Sequence, residues 1–257
     1  MEILDTSGKL LYKSATTKTL RKVLKEAIAN KVSFAKADLA GADFSEVDFS
    51  EANFSEANLI QTNFAAAHLA KTNLTKVNLL EANLAEANLV EASLAEANLT
   101  RANLYRACLS WANLAGANLT DAKLVKVNFF NANFTLTDLT GANLRGANLN
   151  EANLSDANLS KIKEDFFQVL ATAKDEVSGL LQALREGRID GSYYEGECCC
   201  LVGTVAKIRG CDYRSLSPRV SRPAERWFFG ISSGDTPENH PVSKITESWI
   251  LEFQTKA

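Results

Sequence analysis

The chain has 257 residues and a formal net charge of -3, with 28 basic and 31 acidic side chains. This length suffices for one large domain or two modest ones, and a general nucleic-acid binder would need a basic face to displace counterions from phosphates. No apolar run approaches the roughly 20 residues that cross a bilayer, and the residues after Met1 do not form a signal segment. We therefore expect a cytoplasmic protein with no membrane association.

Residues 1–31 predict a small cap made of a β-hairpin and a helix. Two apolar segments, one before Asp5 and one after Gly8, flank a turn-forming sequence that is typical of a hairpin. After Thr17, apolar residues follow the spacing of an amphipathic helix: Leu20, Val23, Leu24, Ala27 and Ile28. We expect this unit to cover the open end of the repeats that come next, because such an end exposes unpaired backbone and apolar core.

A five-residue repeat occupies residues 32–161. Leu or Phe stands at 26 consecutive sites, every fifth residue from Phe34 to Leu159, without an insertion. Ala, Val or Thr lies two residues before each site, and the residue between is Asn in 17 of the 26 repeats and Asp in four. An internal repeat of this regularity defines the architecture of the region.

This period is incompatible with a straight helix or strand. Five residues of an α-helix advance about 500°, so the large apolar residues would form no common face. In a strand the sides alternate with period two, whereas the two inward residues here are separated by two and then three positions. The repeat therefore predicts a chain that bends after every pentapeptide, with Asn and Asp at the bends because their side chains bond nearby backbone.

Charged residues at the last outward position of each repeat bear on the size of one coil. Pairs 20 residues apart are opposite in sign eight times and alike once, while pairs 15 residues apart are opposite seven times and alike once. Stacked opposite charges are favourable cross-strand pairs. The charge pattern alone leaves both three and four repeats per coil open.

The pattern from Val32 to Lys161 closely resembles the pentapeptide-repeat family, whose repeat reads A(D/N)LXX. The resemblance implies a mainly β fold, a right-handed four-sided β-helix with four pentapeptides per coil. It also suggests a function, since some members of the family resemble B-form DNA in width and negative charge and bind DNA gyrase. This repeat, however, mixes 10 basic with 14 acidic residues between Lys31 and Lys161 and has no interrupting loop.

Residues 162–257 differ in composition and predict a small, mainly α-helical C-terminal domain. Ser160 is expected to cap a first helix, and a second runs near Val177 to Leu184. The sequence from Thr236 to Glu238 resembles a helix start. An apolar stripe marks the last helix: Ile245, Trp249 and Phe253.

Candidate chemistry in the chain is sparse, and we expect no catalytic residue, cofactor or metal. A zinc site would draw on Cys198, Cys200, Cys211 and His240, but adjacent cysteines such as Cys198, Cys199 and Cys200 are poor ligand pairs and no CxxC is present. His68 lies at an Asn position of the repeat and is expected to replace an Asn on the surface. Arginines near Trp227 could bind a phosphate or form ordinary ion pairs: Arg214, Arg219, Arg222 and Arg226.

Apolar residues at outward positions of the repeat are the better functional signal, because most outward positions are small or polar. On a four-sided coil, two sets would stack on two walls, and both are candidate protein-docking residues: Val90, Trp111 and Phe130, and Ile60 with Leu80. The alternative is that they seat the terminal segments or a second copy of the chain.

The sequence thus predicts a non-catalytic scaffold that presents a rigid surface to a protein partner and could form a homo-oligomer. Two alternatives remain open: a DNA mimic that interacts with gyrase or another topoisomerase, and a C-terminal domain with an enzymatic or metal-binding activity. Direct binding of nucleic acid is not expected.

Overall fold

The structure is a computed structural model that describes residues 2–14, 19–191, 201–216 and 222–256. Its centre is a stack of coils in which each residue at the Asn position forms a parallel bridge with the residue 20 positions later, from Asp38 with Asn58 to Asp138 with Asn158. One coil therefore contains four pentapeptides. This spacing resolves the choice between three and four sides that the charges left open.

A left-handed residue makes each corner of the coil. The second residue after each Leu or Phe from Phe34 to Leu154 has a positive φ between 55° and 70°, for example 57° at Glu81 and 68° at Gly116. The N–H of the next residue closes the turn, as Ala87 donates to the carbonyl oxygen of Leu84 at 3.1 Å. The Asn side chain supports the same bend, since Asn83 Oδ1 accepts the N–H of Ala85 at 3.3 Å.

The expectation of a mainly β fold needs a correction. Among the described residues, the regular strands are β1 (Glu2–Leu4) and β2 (Leu10–Lys13), which pair antiparallel as the predicted hairpin. Each wall of the coil contributes only an isolated bridge. The reason is geometric: turns take two of every five residues, so three remain and no continuous strand can develop.

The interior is filled by the large apolar residues and the small residues two positions before them, as predicted. Leu94 and Leu99 are fully buried, and Ala97 is 1% exposed. Burying each large side chain contributes roughly 1.5–3 kcal/mol. The buried threonines of the small position are satisfied by backbone, since Thr62 Oγ1 donates to the carbonyl oxygen of Leu59 at 2.7 Å and Thr137 Oγ1 to that of Leu114 at 2.8 Å.

The N-terminal segment contacts the first coil. The carbonyl oxygen of Leu4 accepts the N–H of Asp38 at 2.9 Å, which extends the hairpin onto the first wall. Helix α1 (Leu20–Ala29) buries its predicted apolar face, with Val23, Leu24 and Ala27 in the core. These contacts reduce the number of unpaired backbone groups at the N-terminal end of the coil.

Beyond the coils the chain forms helices that close the other end of the stack. Phe229 accepts the N–H of Gly146 at 2.9 Å through its carbonyl oxygen, and Leu154 and Leu159 are 7% and 8% exposed. Short 3-10 turns lie at Lys174–Glu176 and Tyr213–Leu216. The helices are α2 (Ser160–Thr172), α3 (Val177–Arg185), α4 (Leu201–Arg209), α5 (Pro223–Phe228) and α6 (Pro241–Lys256).

Two predicted helix starts are wrong, while the last helix carries its predicted stripe. Ser160 is the first residue of α2 and not its cap, because its hydroxyl donates to Oδ1 of Asn158 at 2.7 Å. The sequence at Thr236 forms a turn, since Asn239 Oδ1 captures the N–H of Thr236 at 2.7 Å. Helix α6 begins only at Pro241, where the missing N–H costs nothing.

Candidate protein-docking surface

The apolar outward residues lie at the corners of the coil and not in the middle of its walls. Val90 and Phe130 occupy the first turn position of their repeats, and Trp111 occupies the left-handed second position with φ 64°. The expected placement on walls is corrected accordingly: the first set forms one corner over three successive coils. Trp111 is 57% exposed, while Val90 and Phe130 are half-buried.

Trp111 and Phe130 form one aromatic unit on this corner. Their ring centroids are 5.9 Å apart with an interplanar angle of 73°, and the N–H of Trp111 donates to the carbonyl oxygen of Phe130 at 2.9 Å. An edge-to-face pair of this kind fixes the orientation of the indole. The corner therefore presents a large apolar side chain that is already ordered, which lowers the entropy cost of binding a partner.

Ile60 and Leu80 stack at a different corner, one coil apart, and both are half-buried. Thr100 and Thr140 continue this corner, and each hydroxyl is tied to the wall by its neighbour at the Asn position: Thr100 Oγ1 donates to Asn98 Oδ1 at 2.7 Å, and Thr140 Oγ1 to Asp138 Oδ1 at 2.6 Å. The apolar part of this corner is limited to two residues.

Leu136 is an exposed apolar residue that the sequence reasoning missed. It is 67% exposed and has φ 59°. Its position 25 residues after Trp111 places it one corner further and one coil higher. The signal was present in the sequence, because Leu136 and Trp111 are the two large apolar residues at a position otherwise filled mainly by charged, polar or glycine residues.

The charged corners neutralise themselves along the stack. Ion pairs join residues 20 apart, including Lys76 with Glu96 at 3.6 Å and Arg101 with Glu81 at 3.6 Å. All of these side chains are more than a third exposed, so each pair contributes little to stability. Their main effect is on the electrostatic potential of the surface, where positive and negative charges lie close together.

The candidate metal ligands do not come together in the part of the chain that the structure describes. Within those ranges no group of three His, Cys, Asp or Glu could hold a metal ion. His68 is exposed at an Asn position, as predicted, and stacks on Asp48. His240 is buried with its Nε2 3.8 Å from Asp235 Oδ2, and burial lowers its pKa. Cys198, Cys199 and Cys200 lie outside the described residues.

The described arginines near Trp227 contact different partners. Arg222 donates to Asp165 Oδ1 from Nε at 2.9 Å and from Nη2 at 2.8 Å. Arg214 stacks on the Tyr213 ring with its guanidinium carbon 5.6 Å from the centroid. Arg226 Nη1 donates to the carbonyl oxygen of Gly141 at 3.0 Å, and Arg219 lies outside the described residues. The described arginines therefore do not form a single phosphate site.

No helix within the described ranges combines the length and apolar character that a membrane crossing requires.

Comparisons with known proteins agree with the geometry of the coils. A family model for the pentapeptide repeat region matches residues 27–104. A second model, for pentapeptide repeats (8 copies), matches residues 112–150 and 128–162. No curated protein matches the chain.

Several solved structures are similar to part of this chain. A pentapeptide repeat protein from the Arabidopsis thaliana thylakoid lumen is 34% identical, with 35% of this chain and 66% of that chain covered and a TM-score of 0.31. One from the cyanobacterium Cyanothece 51142 is 24% identical, with 54% and 94% covered and a TM-score of 0.41. QnrB1, a plasmid-mediated fluoroquinolone resistance protein, is 18% identical, with 47% and 66% covered and a TM-score of 0.30. The chain spans just under two thirds of the first of these structures.

Proposed function

Since this chain belongs to the pentapeptide-repeat family, we propose that it works as a non-catalytic scaffold whose coil presents a rigid surface to a protein partner. The proposal includes the right-handed sense of the coil that the family implies. It also includes the division into an N-terminal cap (1–31), a repeat region (32–161) and a helical C-terminal domain (162–257). Cytoplasmic localisation, supported by cysteines without framework spacing, completes it.

The ordered aromatic pair of Trp111 and Phe130 supports this function most directly. A Trp that is 57% exposed at a left-handed corner forgoes the stabilisation of burial and adopts a conformation that costs L-residues roughly 1–2 kcal/mol. Asn131 and Glu151 fill the same corner position in the next two coils without exposing apolar surface. We propose that Val90, Trp111 and Phe130 are the main docking residues, with Ile60 and Leu80 as a second contact.

The test is capture of a partner from the native cell by the full chain and by a Trp111→Asn/Phe130→Ser variant, combined with light scattering of each purified protein. Asn suits the left-handed corner, as Asn131 does with φ 56°. We therefore expect an unchanged melting temperature together with loss of the captured partner. If the docked partner is a second copy, we expect the variant to be monomeric where the unaltered chain is a dimer.

Two controls make this test specific. Glu151→Gln alters the same corner away from the aromatic pair and should leave capture unchanged. Ile60→Ser/Leu80→Ser probes the other corner by itself. Equal capture and equal mass for all of these variants would remove the docking proposal.

The two alternative functions have less support. Mimicry of DNA requires a strongly acidic rod, and the pairs such as Lys71 with Glu91 place cations along it. A supercoiling assay with purified gyrase tests this directly, and inhibition at stoichiometric concentration would favour mimicry. Thiol labelling and elemental analysis for zinc test a catalytic or metal-binding role for the segment with Cys198, Cys199 and Cys200.

A further inference from the structure

A groove lies where the helical segment meets one wall of the last coils. Its volume is about 640 Å³, within the range of small-molecule sites. One side is the wall that contains Asn103, Lys123 and Asn143, and Arg226 of α5 also lines the groove. The groove also borders Tyr105, Asp121, Ala122, Val125 and Gly141. It is thus built by two separate parts of the chain.

Lys123 interrupts a ladder of side-chain hydrogen bonds on this wall. Below it each Asn amide donates to the oxygen of the residue one coil earlier: Asn83 to Asn63 at 2.9 Å, and Asn103 to Asn83 at 2.9 Å. At Lys123 this sequence of bonds stops. The Nδ2 group of Asn143, which lines the groove, consequently has no hydrogen-bond acceptor among the described residues, whereas its Oδ1 accepts the N–H of Arg145.

The two cations of the groove have no ionic partner among the described residues. Neither Lys123 nor Arg226 lies within 4.0 Å of a carboxylate, although the nearby corner residues Arg101 and Arg106 are paired with Glu81 and Glu86. Toward the described residues, Arg226 uses one side-chain donor, on the carbonyl oxygen of Gly141. The guanidinium group retains further N–H donors for a ligand.

The surrounding coils strengthen this positive character. Residues 31–100 contain ten acidic and four basic side chains, whereas residues 101–150 contain two acidic and five basic ones. The repeats of residues 101–150 therefore carry a net positive charge, and the coil part of the groove lies among them. Such a distribution attracts anions to the groove and not to the other end.

We propose that this groove binds a small phosphorylated ligand, with its phosphate held by Lys123, Arg226 and the Asn143 amide. Donors come from the floor and from the docked helix, which suits the several oxygens of a tetrahedral anion, and Arg and Lys are the usual phosphate ligands. Asp121, the acidic residue of the groove, is available to accept a hydroxyl group of the ligand. The site is separate from the corner of Trp111 and does not depend on the scaffold function.

The decisive variant is Lys123→Asn, because it restores the residue that most repeats carry. The new amide can bond Asn103 and accept from Asn143, so the variant should melt at the same or a higher temperature. Calorimetric titration of the full chain with ribose 5-phosphate, and separately with inorganic phosphate, should show saturable binding to the unaltered protein. We expect affinity for both to fall about tenfold or more in Lys123→Asn, and similarly in Arg226→Gln.

Lys126→Asn is the matched control, since it removes a nearby cation at a corner where Asn is tolerated and outside the groove. It should leave binding unchanged. Equal affinity in the unaltered protein and Lys123→Asn would overturn the proposal, as would an equal loss in Lys126→Asn or the absence of binding at millimolar phosphate. Succinate that binds as well as ribose 5-phosphate would overturn the assignment to phosphate.

Discussion

Oε1 of Glu225 accepts a hydrogen bond from the backbone N–H of Val202 at 3.2 Å, while Oε2 of the same carboxyl group is buried with no hydrogen-bond partner among the described residues. The side chain thus joins α5 to the first turn of α4. Burial raises the pKa of Glu225 to about 7, against the opposing effects of the Val202 hydrogen bond and of Arg222. This carboxyl group therefore keeps its proton to a higher pH than an exposed glutamate does.

The packing of these helices should therefore weaken as pH rises. Between the ordinary pKa of 4.5 and about 7, the folded protein holds a proton on Glu225 that the unfolded chain has released. Its contribution is complete below pH 4.5, declines through this window and is lost above about pH 7. At about 1.4 kcal/mol per pKa unit, the full change is about 3 kcal/mol.

Glu225→Gln isolates this effect, because Gln resembles the protonated acid at every pH. We expect the variant to match the unaltered protein in urea unfolding at pH 5 and to be more stable at pH 8. Glu238→Gln, an exposed site, controls for the loss of one charge. A stability difference for Glu225→Gln that is the same at both pH values would contradict the assignment.

The side-chain ladder on the walls predicts unequal costs for removing different Asn residues. Asn83→Ala loses the bonds to Asn63 and from Asn103 and the bond to the Ala85 N–H. Asn88 lies between His68 and Cys108, and its side chain makes one hydrogen bond within the described ranges, accepting the N–H of Val90. At roughly 0.5–1.5 kcal/mol per bond, the three bonds of Asn83 predict a cost of about 1.5–4.5 kcal/mol for Asn83→Ala, and the single bond of Asn88 predicts about 0.5–1.5 kcal/mol for Asn88→Ala. Equal unfolding free energies for the two variants would show that the ladder contributes nothing beyond the turn.

The first coils contain an aromatic cluster centred on Phe49. Its ring centroid lies 5.4 Å from that of Phe44, 5.2 Å from Phe54 and 5.9 Å from Phe64. Phe49→Ala should cost about 3–5 kcal/mol in denaturant unfolding. Phe49→Leu places the commonest residue of this site there and should cost much less. A small cost for Phe49→Ala would mean that the neighbouring rings collapse into the space.

The coil could be predicted from the sequence because a single local rule generates it. A chain that bends every fifth residue and points Leu and Ala inward forms a stacked coil, and Leu94 and Ala97 are buried in its interior. The bends favour Asn, and the hydrogen bonds between Asn side chains of successive coils add a second reason for it. Asp38 and Asp43 are the first residues of their ladders and accept the amide N–H groups of Asn58 and Asn63. A first residue needs only an acceptor, because no earlier coil offers an oxygen to which an amide could donate.

The helical end and both candidate sites depended on contacts between distant residues and were only partly predictable. The sequence marks Lys123 as an exception to the Asn rule, but the groove requires Arg226, about a hundred residues later. Likewise, Trp111 was recognisable as an exposed apolar residue, whereas its packing on Phe130 at a corner required the coil to be built. The start of α6 was misplaced because the turn that delays it rests on one side-chain bond from Asn239.

Asp165 of α2 orders the start of α5. Its Oδ1 accepts two N–H groups of Arg222, and its Oδ2 accepts the N–H of Ala224 at 3.0 Å. The Asp165 side chain is only 15% exposed, so Asp165→Ala leaves a partly buried guanidinium and an unpaired N–H, and should cost about 2–3 kcal/mol in urea unfolding. Glu164→Gln is the matched control one residue away, because its pair with Lys161 is about 63% exposed and contributes little. Equal costs for Asp165→Ala and Glu164→Gln would show that the contact between α2 and α5 does not depend on this carboxylate.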